Sequence, residues 1–182
     1  MAVIGVIVGS TRPGRIGGDV GSWAAGVLSG VAEVDLIDLR EVGLPFLDEP
    51  EHAGTGVYAH AHTRAWSRRV AALDAMLFVT PEYNGSFPAP LKNALDFLSL
   101  EWRDKPAGIL AYGNTSSGTR AATALLPVLG QLRMLFAGSV FLPLPTRVSE
   151  AGLTTTERDA EALYGLGHRL TALTGLIAPA AA

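Results

Sequence analysis

Short apolar runs alternate along the chain with segments whose apolar residues recur at helical spacing. Val3–Val8 reads VIGVIV, a run typical of a strand that is buried on both faces. In Gly18–Val31, Val20, Trp23 and Ala24 begin one apolar side of a helix. These two patterns, followed along the chain, predict five strands and five helices.

The predicted strands are Val3–Val8, Val34–Ile37, Ala75–Val79, Pro106–Tyr112 and one that begins at Val140–Leu142. The predicted helices are Gly18–Val31, Thr63–Leu73, Ala89–Leu100, Gly118–Leu132 and Thr155–Leu173, with Thr156 as the N-cap of the last. Asp38–His62 is acidic and punctuated by Pro and Gly, which predicts a surface loop. Strands joined by helical crossovers are parallel, so the chain is predicted to form one three-layer, doubly wound α/β domain over 1–182.

Composition narrows the classes of protein. Apolar residues make up 48% of the 182 residues and mean hydropathy is +0.29, which supports a large core and excludes disorder. A net charge of −3 argues against nucleic-acid binding, and the longest uncharged stretches are too short to span a bilayer. The absence of cysteine excludes a thiolate nucleophile and fits a reducing compartment, so we expect a cytoplasmic protein. Charged residues are only 17%, against about 25% in a typical domain, which predicts a homo-oligomer that buries part of its surface.

Ligands of a doubly wound sheet bind outside the carboxyl ends of the strands. Three loops occupy that position after the first, third and fourth predicted strands: Gly9–Gly18, Thr80–Pro88 and Gly113–Gly118. Gly, Pro, Ser, Thr, Asn and Arg are concentrated in them. We name them loop 1, loop 2 and loop 3, and we expect a binding site where they meet.

Loop 1 carries glycines, hydroxyls and two arginines, Arg12 and Arg15, between a strand and a helix. Glycine lets backbone N–H groups approach a ligand, and a helix N-terminus attracts anions, so a phosphate monoester suits the loop. It is not a P-loop, because Arg15 and Ile16 stand where Lys and Ser/Thr are needed, and it lacks the G-x-G-x-x-G of dinucleotide-binding domains. The alternative is an ordinary strand-to-helix turn with solvated arginines.

Loops 2 and 3 have the features of a backbone cradle. Pro81 fixes the chain direction and Asn84-Gly85 favours a turn with positive φ, which suits the edge of a planar heterocycle. A plain Asn-Gly turn is the alternative. Loop 3 is not a nucleophile elbow, because position 114 is Asn, and His168 lies in a helical, exposed stretch.

At three places the sequence resembles the NADPH-dependent FMN reductase family, which includes azo- and quinone-reducing members. The motifs are GSTRPGRIG in loop 1, TPEYNGSFPAPLKNALDFL after the third strand and KPAGILAYGNTSSGTRAA around the fourth. The resemblance runs from Ile4 to about Leu142 and implies a flavodoxin-like fold with strand order 2-1-3-4-5. It also implies a homodimer or homotetramer, with Leu44–Glu51 and Phe87–Leu91 near the subunit contact.

The resemblance also implies cofactor contacts. The residues that would hold the FMN phosphate are Ser10, Arg12, Arg15, Ile16 and Gly17. Those that would line the isoalloxazine are Pro81, Glu82, Tyr83, Asn84 and Gly85, with the Glu82 contribution coming from its backbone. Those that would contact the ring and ribityl chain from the other side are Gly113, Ser117 and Gly118.

Flavin hydride chemistry needs no protein nucleophile, and no paired carboxylates or Ser/His/Asp arrangement is evident. The predicted enzyme passes hydride in a ping-pong reaction from NADPH or NADH, through bound FMN, to a quinone, azo, flavin or metal-oxyanion acceptor. A flavodoxin-type electron carrier and an FMN-binding sensor are the alternatives. His60 and His62 are interpreted as solvated loop residues rather than metal ligands, and Trp23 and Trp66 as core or interface residues.

Overall fold

A computed structural model describes residues 1–176 of the chain; residues 177–182, the end of the predicted domain, lie outside the described residues. The strands are β1 Val3–Val8, β2 Glu33–Asp38, β3 Ala75–Pro81, β4 Pro106–Gly113, β5 Leu135–Pro143, β6 Val148–Ser149 and β7 Gly152–Leu153. The α-helices are α1 Gly17–Leu28, α2 Leu39–Val42, α3 Ala61–Ala71, α4 Ala89–Asp96, α5 Thr119–Gln131 and α6 Glu157–Thr174.

The five long strands form one parallel sheet in the order β2-β1-β3-β4-β5. Helices cover both faces of this sheet. On one face, side chains of α1 and α6 such as Val20 and Leu166 pack on the strands. On the other, α3, α4 and α5 contribute Trp66, Leu95 and Leu125. The predicted three-layer α/β architecture and the strand order are therefore confirmed.

The central strands appear in the sequence as apolar runs because they are buried. All seven residues of β3 and all eight of β4 are buried, because helices cover both of their faces. The prediction for β5 was wrong at its start: the strand begins at Leu135, not Val140. It lies at the sheet edge, where Leu135 and Phe136 are exposed, and a register shift beside Gly138 interrupts the apolar pattern.

Local corrections fall mainly in the connections. The segment after β2 contains the short helix α2 and a 3₁₀ turn at Ala53–Thr55, so it is more ordered than the predicted loop. Helix α4 ends at Asp96 rather than Leu100, and a 3₁₀ turn, Leu100–Trp102, follows it. Thr156 is the N-cap of α6, as predicted, and forms a capping box with Asp159. The hairpin β6–β7 was not predicted.

No helix among residues 1–176 is both long enough and apolar enough to cross a membrane. Within the same residues, His60 and His62 stack at 5.2 Å, and both rings contact Asp48. No group of three or more His, Cys, Asp or Glu side chains in that range could hold a metal ion. Trp66 belongs to the core, and Trp23 is half-buried against it.

Candidate cofactor site

A cleft of about 410 Å³ opens at the carboxyl ends of β1, β3 and β4. The sheet order reverses direction between β1 and β3, so the cleft lies at the switch point where ligands of doubly wound sheets bind. Its volume is in the range of roughly 300–1,000 Å³ that is usual for cofactor sites. Its lining residues are Ser10, Arg12, Gly14, Arg15, Ile16, Pro81, Glu82, Tyr83, Tyr112, Gly113, Asn114, Leu144, Pro145 and Val148.

The structure brings most of the predicted site residues to this cleft. The predicted residues that line it are Ser10, Arg12, Arg15, Ile16, Pro81, Glu82, Tyr83 and Gly113. Asn84 and Gly85 line an adjoining depression of about 350 Å³, which shares Glu82 and Asn114 with the cleft. Gly17, Ser117 and Gly118 line neither depression; they lie in loops 1 and 3 beside residues that do.

The side chains of loop 1 differ in how many hydrogen bonds and ion pairs they form with the rest of the protein. The Ser10 hydroxyl is buried and lies 2.9 Å from the Tyr83 hydroxyl of loop 2. Arg15 donates to the Ser10 carbonyl at 2.7 Å and forms an ion pair with Asp38 at the end of β2. Arg12, in contrast, is exposed and makes no hydrogen bond or ion pair with any residue from 1 to 176. Arg12 is therefore the loop cation that is available to a ligand.

Helix α1 begins at the cleft without a side-chain cap. Its N-cap is Ile16, which cannot accept a hydrogen bond through its side chain. The first backbone bond that closes a helical turn runs from the Val20 amide to the Ile16 carbonyl, at 3.1 Å. The amides before it, from Gly17 to Asp19, have no helical acceptor and favour an anion at this end of the cleft.

Loop 2 is held by a tight two-residue turn. Tyr83 and Ser86 exchange two backbone hydrogen bonds, of 2.8 and 3.0 Å. Between them Asn84 has φ 51° and Gly85 has φ 80°. The positive-φ turn predicted from Asn-Gly is confirmed, and it fixes the directions of the backbone groups at this wall.

Glu82 joins loop 2 to loop 3. Its Oε2 atom accepts hydrogen bonds from the Ser116 hydroxyl at 2.5 Å and from the Arg120 amide at 3.1 Å. The bond from Ser116 is the main reason why the pKa of Glu82 lies below its ordinary value. Its own amide donates to the Tyr112 carbonyl at 3.0 Å, so Glu82 is held to loop 3 by its side chain and to the end of β4 by its backbone.

Loop 3 turns back onto its own strand. Ser117 has φ 54° and Gly118 has φ 89°. A Cβ atom on Gly118 would lie 2.6 Å from the Tyr112 amide nitrogen, so the close approach of backbone to backbone requires glycine here. The place of Gly118 in the fold is therefore explained by packing of the loop.

Six cleft residues were not predicted from the sequence: Gly14, Tyr112, Asn114, Leu144, Pro145 and Val148. Gly14 and Asn114 lie within loops that the sequence does single out. Tyr112 ends the apolar run of β4 and reads as a core residue. Leu144, Pro145 and Val148 come from the segment between β5 and α6, which reaches the cleft only through tertiary packing.

The sequence profile of the NADPH-dependent FMN reductase family matches residues 2–147. The chain belongs to this family. It is 34% identical over 155 residues to the NAD(P)H-dependent FMN reductase LOT6 of Saccharomyces cerevisiae, a match that covers 78% of this chain and 81% of the relative. Membership confirms the predicted enzyme class, an NAD(P)H-dependent FMN oxidoreductase.

Two further comparisons agree with this assignment. The NAD(P)H-dependent FMN reductase C4B3.06c of Schizosaccharomyces pombe is 40% identical over 136 residues, covering 72% of this chain and 68% of the relative. Among solved structures, the flavoenzyme FerB of Paracoccus denitrificans superposes with a TM-score of 0.71 at 22% identity, covering 97% of this chain and 98% of that one. The latter comparison shows the flavodoxin-like fold.

The cleft residues fit FMN. The uncapped start of α1, Ser10 and Arg12 provide donors for a phosphate. The buried Tyr112 hydroxyl has no hydrogen-bond partner among residues 1–176, so a polar group is left for a ligand to satisfy, directly or through a neighbour. Pro81, with the segment Leu144–Val148, adds apolar surface that suits a flat ring.

Proposed function

We propose that this member of the family binds FMN in the strand-end cleft and transfers reducing equivalents from NAD(P)H to a small-molecule acceptor. Quinones, azo compounds, free flavins and metal oxyanions are the acceptor classes. The observation that supports this most strongly is the convergence of eight of the predicted contacts on one cleft at the sheet switch point. When bound, FMN supplies the redox chemistry, taking hydride from the nicotinamide and returning it to the acceptor.

Loop 1 holds the phosphate in this proposal. The free amides at the start of α1 and the Ser10 hydroxyl donate to it, and Arg12 adds a full positive charge. Arg15 acts differently, because its guanidinium already bonds the Ser10 carbonyl and Asp38. It fixes the shape of loop 1 and keeps the Ser10 carbonyl away from the phosphate. Gly17 and Ile16 contribute backbone donors.

Loops 2 and 3 orient the flavin ring from two sides. The fixed turn at Asn84-Gly85 presents amide and backbone groups to the polar edge of the ring. Gly113 allows close approach on the side of β4, and Ser117 and Gly118 shape the loop behind it. The Glu82 carboxylate holds the two loops at a fixed separation, so the ring site is formed before the ligand arrives.

The third wall of the cleft is apolar. Leu144, Pro145 and Val148 come from the segment between β5 and α6 and face loops 1 and 2 across the cleft. An apolar wall excludes water and favours flat, weakly polar molecules such as a nicotinamide ring or a quinone. We propose that the donor and the acceptor use this side of the cleft in turn.

Steady-state oxidation of NADH and NADPH by the FMN-loaded protein tests this function. We expect oxidation that depends on an added acceptor, with menadione, an azo dye, FMN and chromate compared as representatives of the four classes. FMN binding without NAD(P)H oxidation for any acceptor would favour the electron carrier or the sensor. Failure to bind FMN at all would contradict the cleft assignment itself.

We also propose that the chain assembles as a homodimer or homotetramer. The segment between β2 and α3 exposes Phe46, at 85%, together with Leu47 and Val57, and a second copy of the chain would cover them. Light scattering should give a mass of two or four chains, and Phe46→Ser should shift it toward one. A monomer at all concentrations would contradict this proposal. A cytoplasmic location and the lack of nucleic-acid partners remain predictions from composition.

A further inference from the structure

Tyr112, the penultimate residue of β4, has a hydroxyl group with no hydrogen-bond partner among residues 1–176. Its side chain lines the base of the cleft, yet the residue is only 2% exposed. A buried phenol without a partner in the protein is unfavourable, because the hydrogen bonds to water that it loses on folding are not replaced by hydrogen bonds to residues 1–176. The position of this hydroxyl therefore calls for an explanation.

The hydroxyl reaches the start of α1. A Cβ atom on Gly17 would lie 2.6 Å from Tyr112 Oη and 3.2 Å from Ser10 Cβ, so glycine at position 17 leaves the space that the hydroxyl occupies. Burial raises the pKa of Tyr112, and the Ser10 hydroxyl beside it acts in the opposite direction. The phenol is thus a neutral donor at physiological pH, next to Ser10.

Ser10 is the residue through which Tyr112 can act. Its hydroxyl lies 2.9 Å from the Tyr83 hydroxyl, and either atom of that pair could donate. A serine hydroxyl has one proton to donate and two lone pairs that accept. If Ser10 donates its proton into the cleft, its oxygen can accept from Tyr83 and from Tyr112 at the same time. All three hydroxyls are then satisfied.

We propose that Tyr112 is a positioning residue that turns the Ser10 hydroxyl toward an anionic oxygen bound at loop 1. Within residues 1–176, the Tyr112 donor has no acceptor. With the FMN phosphate bound, rotation of the Ser10 side chain lets its hydroxyl accept from Tyr112 and donate to the phosphate. The inference rests on the proposed function, since it takes FMN to be the ligand. Part of the affinity for the phosphate then comes from relieving an unfavourable feature of the ligand-free protein.

The test is Tyr112→Phe, measured by two quantities that should respond differently. Thermal unfolding of the ligand-free variant should occur at a temperature no lower than that of the wild type, because the substitution removes an unsatisfied donor. The dissociation constant for FMN, from quenching of flavin fluorescence, should rise about tenfold. Riboflavin, which lacks the phosphate, should bind both proteins equally.

The double variant Ser10→Ala/Tyr112→Phe isolates the coupling. Because Tyr112 acts through Ser10, adding Tyr112→Phe to Ser10→Ala should weaken FMN binding no further. Tyr58→Phe is the matched control, since the Tyr58 hydroxyl donates to Glu101 at 2.9 Å and the residue does not line the cleft. This control should lower the unfolding temperature and leave the FMN-to-riboflavin affinity ratio unchanged.

Two results would overturn the inference. One is an unchanged FMN-to-riboflavin affinity ratio in Tyr112→Phe. The other is a further loss of FMN binding when Tyr112→Phe is added to Ser10→Ala, which would show that Tyr112 does not act through Ser10. Failure of the proposed function is distinguishable from both, because the wild-type protein itself would then not bind FMN.

Discussion

Glu82 Oε2 lies 2.5 Å from Ser116 Oγ, and this hydrogen bond joins the loop after β3 to the loop after β4. The same carboxylate caps the first turn of α5 by accepting from the Arg120 amide. Only 10% of the Glu82 side chain is exposed, so its charge is held inside the loop framework rather than offered to solvent. The part of the cleft that we propose for the flavin ring therefore depends on this contact.

Glu82→Gln should lower the free energy of unfolding by about 1 kcal/mol at neutral pH, because a neutral amide replaces the carboxylate acceptor. The pKa of Glu82 is lower in the folded protein than its ordinary value of about 4.3. The stabilisation that the ionised Glu82 gives the folded protein is therefore complete above the ordinary pKa of about 4.3. It is lost as the pH falls through the lower pKa of the folded state.

Urea unfolding of the wild type and of Glu82→Gln at several pH values checks this dependence. The difference between them should shrink below about pH 4, because protonated Glu82 resembles glutamine. Glu161→Gln, on the exposed side of α6, is the control and should stay within about 0.5 kcal/mol of the wild type at neutral pH. A difference that does not change with pH would contradict the role given to the Glu82 charge.

Gly118→Ala should destabilise the protein by about 2–3 kcal/mol. Gly118 has φ 89°, and an added Cβ would lie 2.6 Å from the Tyr112 amide nitrogen, which cannot move without disturbing β4. Gly130→Ala is the matched control within α5, where an added Cβ meets nothing within 4 Å. It should stabilise by about 0.5–1 kcal/mol. Equal effects in thermal unfolding would contradict the packing argument.

Substitution of Arg12 should affect FMN binding, whereas substitution of Arg15 should affect the stability of the fold. Arg12→Ala should weaken FMN binding about tenfold, spare riboflavin binding and leave the unfolding free energy within about 0.5 kcal/mol. Arg15→Ala should lower the unfolding free energy by about 1–2 kcal/mol, because it leaves Asp38 without its ion-pair partner. Flavin fluorescence titration and urea unfolding of both variants measure these effects. A loss of FMN affinity in Arg15→Ala, with a loss of stability in Arg12→Ala, would show that Arg15 holds the phosphate.

The apolar wall of the cleft is tied to α6 by an ion pair. Arg147 lies two residues after Pro145, close to Leu144 in the chain. It donates two hydrogen bonds, of 2.5 and 3.2 Å, to the carboxylate of Asp159 in α6. Burial acts to raise the pKa of Asp159, but hydrogen bonds from Arg147 and Thr156 outweigh it and hold the pKa below its ordinary value. The pair is therefore ionised at neutral pH and fixes the position of the wall.

Asp159→Asn should destabilise by about 1–3 kcal/mol, because Arg147 is left partly buried without its counter-charge. It should also raise KM for the acceptor, since the wall that we propose as its contact surface loosens. Asp96→Asn breaks the exposed pair with Lys92 and should change stability by no more than about 0.5 kcal/mol. Urea unfolding and acceptor KM measure both variants, and an unchanged KM in Asp159→Asn would contradict the role of the wall.

Much of the fold could be predicted because the central strands are buried on both faces. β3 and β4 are uninterrupted apolar runs for that reason, and their order follows from the family resemblance. The start of β5 could not be predicted, since an edge strand lacks one neighbour and Leu135 and Phe136 face outward. Gly138, at φ 133°, further breaks the pattern at the bulge.

The site was predictable where local sequence determines local geometry. Asn84-Gly85 forms its turn from backbone preference alone. The glycines of loop 1 predict a close approach of the backbone to a ligand. Tyr112 and Val148 were missed for opposite reasons. Tyr112 has the pattern of a core residue, and only the structure reveals its unsatisfied hydroxyl. Val148 reaches the cleft through packing of a hairpin that carries no local signal.

The proposed reaction is that FMN held in the strand-end cleft is reduced by NAD(P)H and reoxidised by an acceptor. The most direct measurement is an anaerobic titration of the FMN-loaded protein, with the visible flavin absorbance followed throughout. We expect the absorbance to be lost as one equivalent of NADPH or NADH is added per bound flavin, and menadione to restore it. An absorbance that persists in excess NADPH and NADH, with FMN still bound, would contradict the proposed reaction.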